Sequence, residues 1–339
     1  MTTLDQRTRE PLTPRRLVAT LAILLSVLVV VCILAISVGS VPITFASVIR
    51  TLTGSEGVSE AERTIILAIR LPRVLLAVIV GAGLSVAGLV FQALLRNPLA
   101  EPYILGISSG GTVGAILAIG LSLGASTITT PLASFAGSGA VMVLVYVIAH
   151  RRGQIDTNTL LLAGVMIGAF FNAVVLLVIA VFNQELRNAF LWLMGNLSGA
   201  NAASVSLVGP LVCLATFALL WLSKSYNLIA TGDETALQLG INVTTVKRIS
   251  YLIASLITGL VVSVSGVVGF VGLIIPHICR MVFGPDHRLL LPASFLLGGI
   301  FLVIADVLSR ILLAPTEIPV GAITAAIGAP VFIYLLKRT

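Results

Sequence analysis

The side chains of this sequence that could do chemistry are few and lie far apart. His277, the one histidine inside a predicted helix, is followed by Ile, Cys and Arg and not by a second metal ligand at helical spacing. No H-E-x-x-H motif, Ser/His/Asp arrangement or G-x-x-x-x-G-K-[ST] phosphate loop stands out. Cys32, Cys213 and Cys279 lie in apolar segments without paired spacing, which is typical of buried free thiols. The sequence therefore predicts no catalytic residue, no metal site and no cofactor held by this chain.

The elements that carry these residues are long and apolar. Of 339 residues, 58% are apolar and 10% are charged, and the mean hydropathy is +1.13, whereas a soluble domain has about 25% charged residues. Runs of about 18 or more apolar residues predict membrane-spanning helices. We predict an all-α polytopic membrane protein with one transmembrane domain over 1–339, a cytoplasmic tail at 1–16 and a polar insert at 224–248. The ten predicted spans are 17–39, 66–95, 99–122, 130–149, 159–181, 205–222, 249–266, 267–283, 289–309 and 318–336.

The positive charges predict the orientation in the membrane. Lys and Arg collect on cytoplasmic loops, and with both termini in the cytoplasm that side holds fourteen of the 20 Lys and Arg residues. The net charge of +7 is then mainly a topology signal and does not indicate a nucleic-acid partner. Arg70, Arg73 and Arg310 run against this bias, and they either extend to the interface or form a positive rim for an acidic partner. The six residues on the predicted outer side are Arg50, Arg63, Arg70, Arg73, Arg187 and Arg310.

The predicted helices lack ionisable groups near their middles, where carriers driven by proton or sodium gradients usually need them. A sodium site built from unwound backbone carbonyls stays open as an alternative. Since the chain also lacks a nucleotide-binding loop, we expect a separate subunit to supply the energy.

The insert at 224–248 has its own start and stop signals. Thr231 and Glu234 match a T-x-x-E capping box for a helix over Asp233–Leu239. Gly240 predicts a left-handed stop, and Asn242 predicts the cap of a second short helix that ends at Lys247–Arg248. Helices of about seven residues are unstable alone, so this pair must pack on its own chain or dock on a cytoplasmic partner. The apolar side consists of Ala236, Leu237, Leu239, Ile241 and Val243.

Six stretches, taken in order, closely resemble the FecCD-type permeases: "RLPRVLLAVIVGAGLSVAG", "LLRNPLAEPYILGISSGG", "GDETALQLGINV", "VVGFVGLIIPHICR", "GPDHRLLLP" and "PTEIPVGAITAAIGAPVFIYLLK". These are the membrane subunits of ABC importers for ferric siderophores, haem and vitamin B12. The resemblance implies a ten-helix, BtuC-like (type II) permease fold in the cytoplasmic (inner) membrane of a bacterium. It implies transport of a ferric siderophore, or alternatively of vitamin B12 or haem.

The resemblance also implies partners. These are two ATP-binding cassette ATPase subunits that hold ATP and Mg, a second permease copy or paralogue, an extracytoplasmic substrate-binding protein and the surrounding lipid.

Residue roles follow from the same resemblance. Glu234 to Gly240 fits the E-A-A-x-x-x-G coupling motif, with Thr235 in place of the first Ala. The resemblance assigns Arg70, Arg73 and Arg310 to docking of the binding protein. It assigns closure of the path to Asn97 and Leu99, and to Thr157 and Asn158 before helix five. The residues implied in ATPase coupling are Asp233, Glu234, Ala236, Leu237, Leu239, Gly240, Asn242 and Val243.

The position of Asn97 supports such a role on physical grounds. The residue before a proline is pushed out of helical geometry, and non-helical backbone at membrane depth must line a cavity or be buried in protein. Asn97–Pro98 is therefore expected to break helix two.

Overall fold

The fold is described from a computed structural model, in which residues 12–39, 41–55, 57–121, 128–151, 154–181, 190 and 192–337 are described. Arg7, Arg9, Arg187 and most of the predicted 1–16 tail lie outside these residues. The elements are α1 Pro14–Ser37, α2 Phe45–Leu52, α3 Glu60–Thr64, a π-helical segment Ile65–Arg70, α4 Leu71–Leu95, α5 Ile107–Gly120, α6 Thr129–Ala149, β1 His150–Arg151, β2 Gln154–Ile155, α7 Thr157–Val181, α8 Ala202–Trp221, α9 Ser223–Ala230, α10 Asp233–Gln238, α11 Val243–Ser265, α12 Val271–Phe283, α13 His287–Ile311 and α14 Val320–Leu336.

The membrane-spanning character of the chain is confirmed, and each of the ten predicted spans contains an apolar helix. Among the described residues, seven helical stretches are long and apolar enough to cross a bilayer, while α5, α12 and α14 are shorter. Ten complete crossings therefore remain a prediction. Helix α11 begins at Val243, before the predicted 249. Two other predicted starts are too early by several residues, because α5 begins at Ile107 and not at 99, and α12 begins at Val271 and not at 267. Turns precede both helices: Pro98 lies in the first, and Gly266 at φ +67 ends α11 before the second.

Helix α4 forms the centre of the bundle. It is buried along nearly its whole length and packs against α8, α11, α12 and α13. Two close approaches depend on glycine: a Cβ at Gly81 would collide with the carbonyl of Gly298 on α13, and one at Gly88 with the carbonyl of Gly272 on α12. Small residues let helix backbones approach closely in this way.

The two ends of the bundle are distinguished by side-chain contacts. At one end Arg16 donates to the carbonyl of Phe283 (3.0 Å), and Asn227 of the insert donates to Asp286 (2.8 Å). We call this end, which carries the start of α1 and the insert, the inner face. The other end, where Arg310 binds the final turn of α1, is the outer face. The start of α1 and the insert therefore lie on the same side, as the sequence predicts.

The all-α prediction has one small exception in the described chain. Between α6 and α7, β1 and β2 form an antiparallel pair of two residues each, with His150 opposite Ile155. This pair leads directly into the first residues of α7.

Candidate functional site: the inner insert, the gate loops and the outer arginines

The insert begins with α9, which is tied to the start of α13. Asn227 donates from Nδ2 to Oδ1 of Asp286 (2.8 Å) and accepts from the backbone N–H of His287 (2.8 Å). Burial by itself would raise the pKa of Asp286, but hydrogen bonds from Arg288 and Asn227 outweigh it and lower the pKa to about 2. The insert is therefore anchored to the bundle by a carboxylate that stays charged.

The predicted capping box at the start of α10 is wrong. The Thr231 hydroxyl donates back to the carbonyl of Leu228 (2.7 Å), and the Glu234 side chain is exposed. Gly232 occupies the N-cap position at φ +127, a conformation that turns the Thr231 side chain away from the first helical turn. The helix also ends at Gln238, one residue earlier than predicted.

The glycine stop and the asparagine cap are confirmed. Gly240 has φ +85, and the N–H groups of Gly240 and Ile241 bind the carbonyls of Leu237 and Ala236 in a Schellman arrangement. Asn242 accepts the N–H of Thr245 at 3.0 Å. The predicted second short helix does not end at Arg248, because it is the first part of α11, which continues to Ser265.

The apolar residues of the insert divide into two groups. Ala236 is fully buried and Val243 is 9% exposed, so these two fix the insert against its own chain. Leu237 and Leu239 are 65% and 60% exposed. At the inner face, outside the spanning helices, two such leucines form an apolar knob with no cover from the described chain.

The predicted gate residues Thr157 and Asn158 lie inside the first turn of α7, not before it. Asp156 caps this turn, since its Oδ1 accepts the N–H of Asn158 (3.1 Å) and its Oδ2 accepts the hydroxyl of Thr159 (2.6 Å). The turn is thus held rigidly on the end of a 25-residue helix.

The other two predicted gate residues, Asn97 and Leu99, lie in the break that follows α4, as Pro98 predicts. Arg96 ends α4 in the left-handed conformation at φ 47. The Asn97 side chain then accepts the N–H of Leu99 (2.9 Å) in a tight turn, and Leu99 remains 44% exposed.

A cavity of about 440 Å³ lies between the insert and the first turn of α7. Lys247, only 6% exposed, donates to Asp233 of the insert (2.6 Å) and to the Thr157 hydroxyl (3.2 Å). Asn97 and Leu99 do not line this cavity, although their neighbour Arg96 does. The lining residues are Leu95, Arg96, Ile155, Asp156, Thr157, Asn158, Asp233 and Lys247.

Lys247 is not predicted as a site residue from the sequence, in which it marks the charged end of a short helix. One signal was available: Lys247 lies four residues after Val243 and four before Tyr251, on the buried face of an amphipathic helix. A lysine on such a face requires a polar partner inside the fold.

At the outer face, Arg73 is buried between two carboxylates. Its Nε lies 2.9 Å from Oδ1 of Asp306, and its Nη1 lies 2.9 Å from Oε2 of Glu317. Arg310 pairs with the same Asp306 through Nε at 3.1 Å. The partner carboxylates Asp306 and Glu317 were not assigned to this site from the sequence.

Arg70 and Arg310 bind the final turn of α1. Arg70 donates to the carbonyls of Ile36 (2.7 Å) and Ser37 (2.9 Å), and Arg310 to those of Val38 (2.9 Å) and Ala35. These carbonyls have no partners within their own helix, so the two guanidinium groups complete its end and match its dipole. The three arginines therefore form an internal network, neither extending to the interface nor standing free as a rim.

Comparison with known proteins identifies the family that has this architecture. The profile of the FecCD transport family matches residues 27–338. The chain is 44% identical over 281 residues to a cobalamin import system permease protein, BtuC, of Halobacterium salinarum, covering 83% of this chain and 75% of the relative. It is 39% identical over 323 residues to the hemin transport system permease protein HmuU of Yersinia pestis, covering 94% and 95%. With the Fe(3+)-citrate import system permease protein YfmE of Bacillus subtilis it shares 37% identity, covering 95% and 96%.

A solved structure has the same fold. It is described as an inward-facing conformation of a metal-chelate type ABC transporter, with a TM-score of 0.84 and 29% identity, covering 94% of this chain and 99% of that one. The relatives are permease subunits of import systems and not enzymes. This chain therefore belongs to the FecCD transport family and is an ABC importer permease.

Proposed function

We propose that this permease carries a ferric siderophore across the cytoplasmic membrane of a bacterium. Two ATPase subunits would bind the inner face, a second copy or a paralogue would complete the path, and a substrate-binding protein would dock at the outer face. The iron-citrate relative and the likeness to a metal-chelate transporter support this substrate class.

The knob formed by Leu237 and Leu239 is the observation that carries the proposed binding of an ATPase. Apolar side chains exposed by more than half outside the lipid are costly unless a partner covers them. Six-residue α10 is held rigidly by Ala236 below it and by the Gly240 stop after it. It is therefore a preformed element suited to a socket on the ATPase. In this proposal ATP and Mg bind to the ATPase and not to this chain.

The other coupling residues support the knob. Asp233 fixes the start of α10 to the bundle through Lys247, while Asn242 and Val243 fix the start of α11. Glu234 is exposed beside the knob, where it can contact the ATPase directly. Movement of the ATPase pair on binding ATP would shift the insert and rock the spanning helices.

We propose that the path closes at the inner face through two turns. The turn after α4 offers Asn97 and the exposed Leu99, and the first turn of α7 offers Thr157 and Asn158. Both turns lie next to the cavity that borders the insert, through Arg96 in the first case and directly in the second.

Docking of the binding protein at the outer arginines requires an exchange of partners. The guanidinium groups of Arg70, Arg73 and Arg310 are engaged within this chain, but Glu317, which binds Arg73, is 39% exposed. An acidic side chain of the binding protein would replace Glu317 at Arg73, while Arg70 and Arg310 would hold the underlying backbone in place.

Vitamin B12 is the second candidate substrate, because the cobalamin permease of H. salinarum shares 44% identity with this chain. Proteoliposomes that contain the permease, its ATPase and its binding protein separate the candidates. They would be offered ⁵⁵Fe-loaded hydroxamate or citrate, or ⁵⁷Co-cobalamin. Iron uptake that needs ATP and persists without ion gradients supports the proposal, whereas cobalamin uptake supports the second candidate. Uptake driven by an ion gradient without the ATPase excludes both.

A further inference from the structure

Lys247 is an unusual residue for its position. Its side chain is 7% exposed and lies near the inner end of α11, and burying an ammonium group is costly unless it is paired. Its two described polar partners come from different functional segments: Asp233 opens the coupling helix α10, and Thr157 opens the gate helix α7. One buried cation therefore contacts both.

Asp233 is in turn shared with the second gate turn. Arg96, which precedes Asn97, places Nη2 3.7 Å from Oδ2 of Asp233, the oxygen that Lys247 also contacts. The other oxygen, Oδ1, has no hydrogen-bond partner among the described residues. The Asp233 carboxylate can therefore change partners without losing its charge pairing.

The cavity beside these groups gives their side chains room to move. It has a volume of about 440 Å³, and Lys247, Asp233, Thr157 and Arg96 all border it. A contact with a purely structural role is expected to be closely packed on all sides, as the Gly88–Gly272 crossing is. The contacts of Lys247 instead border open space.

We propose that Lys247 is a positioning residue that transmits movement of the insert to the gate. When the ATPase displaces α10, the ion pair between Asp233 and Lys247 moves the Lys247 ammonium. The hydrogen bond from Lys247 to the Thr157 hydroxyl then either moves Thr157 or breaks. The same displacement of Asp233 moves Arg96 through their ion pair, and Arg96 is bonded directly to Asn97 of the other gate turn. This inference rests on the proposed function, since it needs an ATPase bound at the knob.

The test places a spin label at Asn158 in the permease–ATPase complex in nanodiscs. Cys32 and Cys213 are changed to Ser and Cys279 to Ala, and Asn158→Cys carries the label. The change in nitroxide mobility between the nucleotide-free and ATP–vanadate states reports the gate. Lys247→Met should reduce this change by about fivefold or more, the scale of a typical coupling between sites. The ATPase should still copurify with this variant, because Leu237 and Leu239 are intact.

Matched variants separate transmission from folding. Arg248→Met removes the same charge from the exposed neighbouring position and should leave the label response unchanged. Lys247→Arg keeps the charge and should retain most of the response. If Lys247→Met fails to fold, Asp233→Asn breaks the same contact from its exposed side, and the exchanged pair Asp233→Lys with Lys247→Asp should restore part of the response.

The possible results have distinct meanings. A Lys247→Met complex that responds like the labelled parent overturns the inference and leaves the proposed function standing. A labelled parent that binds the ATPase but shows no response to nucleotide overturns the proposed coupling together with this inference.

Discussion

Arg73 of α4 and Asp306 of α13 form a buried ion pair, with 2.9 Å between Nε and Oδ1 and exposed side-chain fractions of 9% and 1%. Asp306 also pairs with Arg310 one turn later on its own helix. One carboxylate thus balances two buried guanidinium groups that join α1, α4 and α13 at the outer face.

Removing that carboxylate should destabilise the protein strongly. Asp306→Asn keeps the size of the side chain but leaves Arg73 and Arg310 without a buried counter-charge, which typically costs about 3–5 kcal/mol. Thermal unfolding in detergent measures the loss. Glu317→Gln is the control, since this partner is 39% exposed and its pairing is worth about 0–1 kcal/mol. Equal stability of the two variants would show that Asp306 is not the centre of the network.

Glu317→Gln should also strengthen binding-protein docking. If an incoming carboxylate must displace Glu317 from Arg73, removing that competitor should lower the dissociation constant by up to about fivefold, the scale of an exposed ion pair. Surface plasmon resonance on the permease in nanodiscs measures this, and the gain should shrink as salt is raised. An unchanged dissociation constant would argue against Arg73 as a docking residue.

The apolar knob should be essential for assembly but not for stability. Leu237→Ser with Leu239→Ser should weaken ATPase binding by about tenfold or more, the effect of losing an interface anchor. The unfolding temperature should stay nearly constant, because both leucines are exposed. Gln238→Ser, on the same helix, is the matched control. Full-strength binding by the double variant would rule out the knob as the ATPase contact.

The crossing of α4 and α12 should tolerate no added methyl group. Gly88→Ala would drive its Cβ into the carbonyl of Gly272, and overpacking of this kind costs about 1–3 kcal/mol. In Gly139→Ala the new methyl meets nothing within 4 Å, so this variant should be neutral or slightly more stable. Unfolding of both variants in the same detergent provides the comparison, and matching losses would contradict close packing at Gly88.

The anchor of the insert should fail in acid. The folded pKa of Asp286, about 2, lies below the ordinary value of 3.8, so its stabilising effect is complete above about pH 5 and is lost progressively as the pH falls through 3.8 toward 2. Asp286→Asn should remove that part of the acid dependence and lower stability at pH 7. Thermal melts of both proteins between pH 7 and about pH 2 would show it, and parallel curves would assign the acid sensitivity to other groups.

Local signals in the sequence predict much of this fold. The apolar runs indicate where each helix lies, Gly240 predicts the stop of α10 because glycine accepts a positive φ, and Asn242 predicts the cap of α11. The Thr231–Glu234 signal fails because the intervening Gly232 adopts φ +127. A capping pattern does not specify the backbone conformation of the residue between its members.

Pairings between distant residues could not be predicted in the same way. Arg73 and Asp306 are 233 positions apart in the sequence, and the hydrogen bond from Lys247 to Thr157 joins residues that are 90 positions apart. The charge rule marks Arg70, Arg73 and Arg310 as exceptions, but only tertiary packing shows that their guanidinium groups are bound internally. Roles that depend on such pairings need the three-dimensional arrangement of the helices.

The helical stretch Glu60–Leu95 has 36 residues, a length of about 54 Å against a hydrocarbon layer of about 30 Å. It must therefore tilt or project beyond the bilayer, and the π-helical segment at Ile65–Arg70 marks where it can bend. Beyond that segment α4 continues as a regular helix of 25 residues, about 37 Å long. A tilt of α4 by about 5° around its midpoint would move its two ends by about 2 Å in opposite directions, enough to break a hydrogen bond. Binding of a protein near Arg73, as proposed above, would in this way shift the backbone beside Arg96 at the other end of α4.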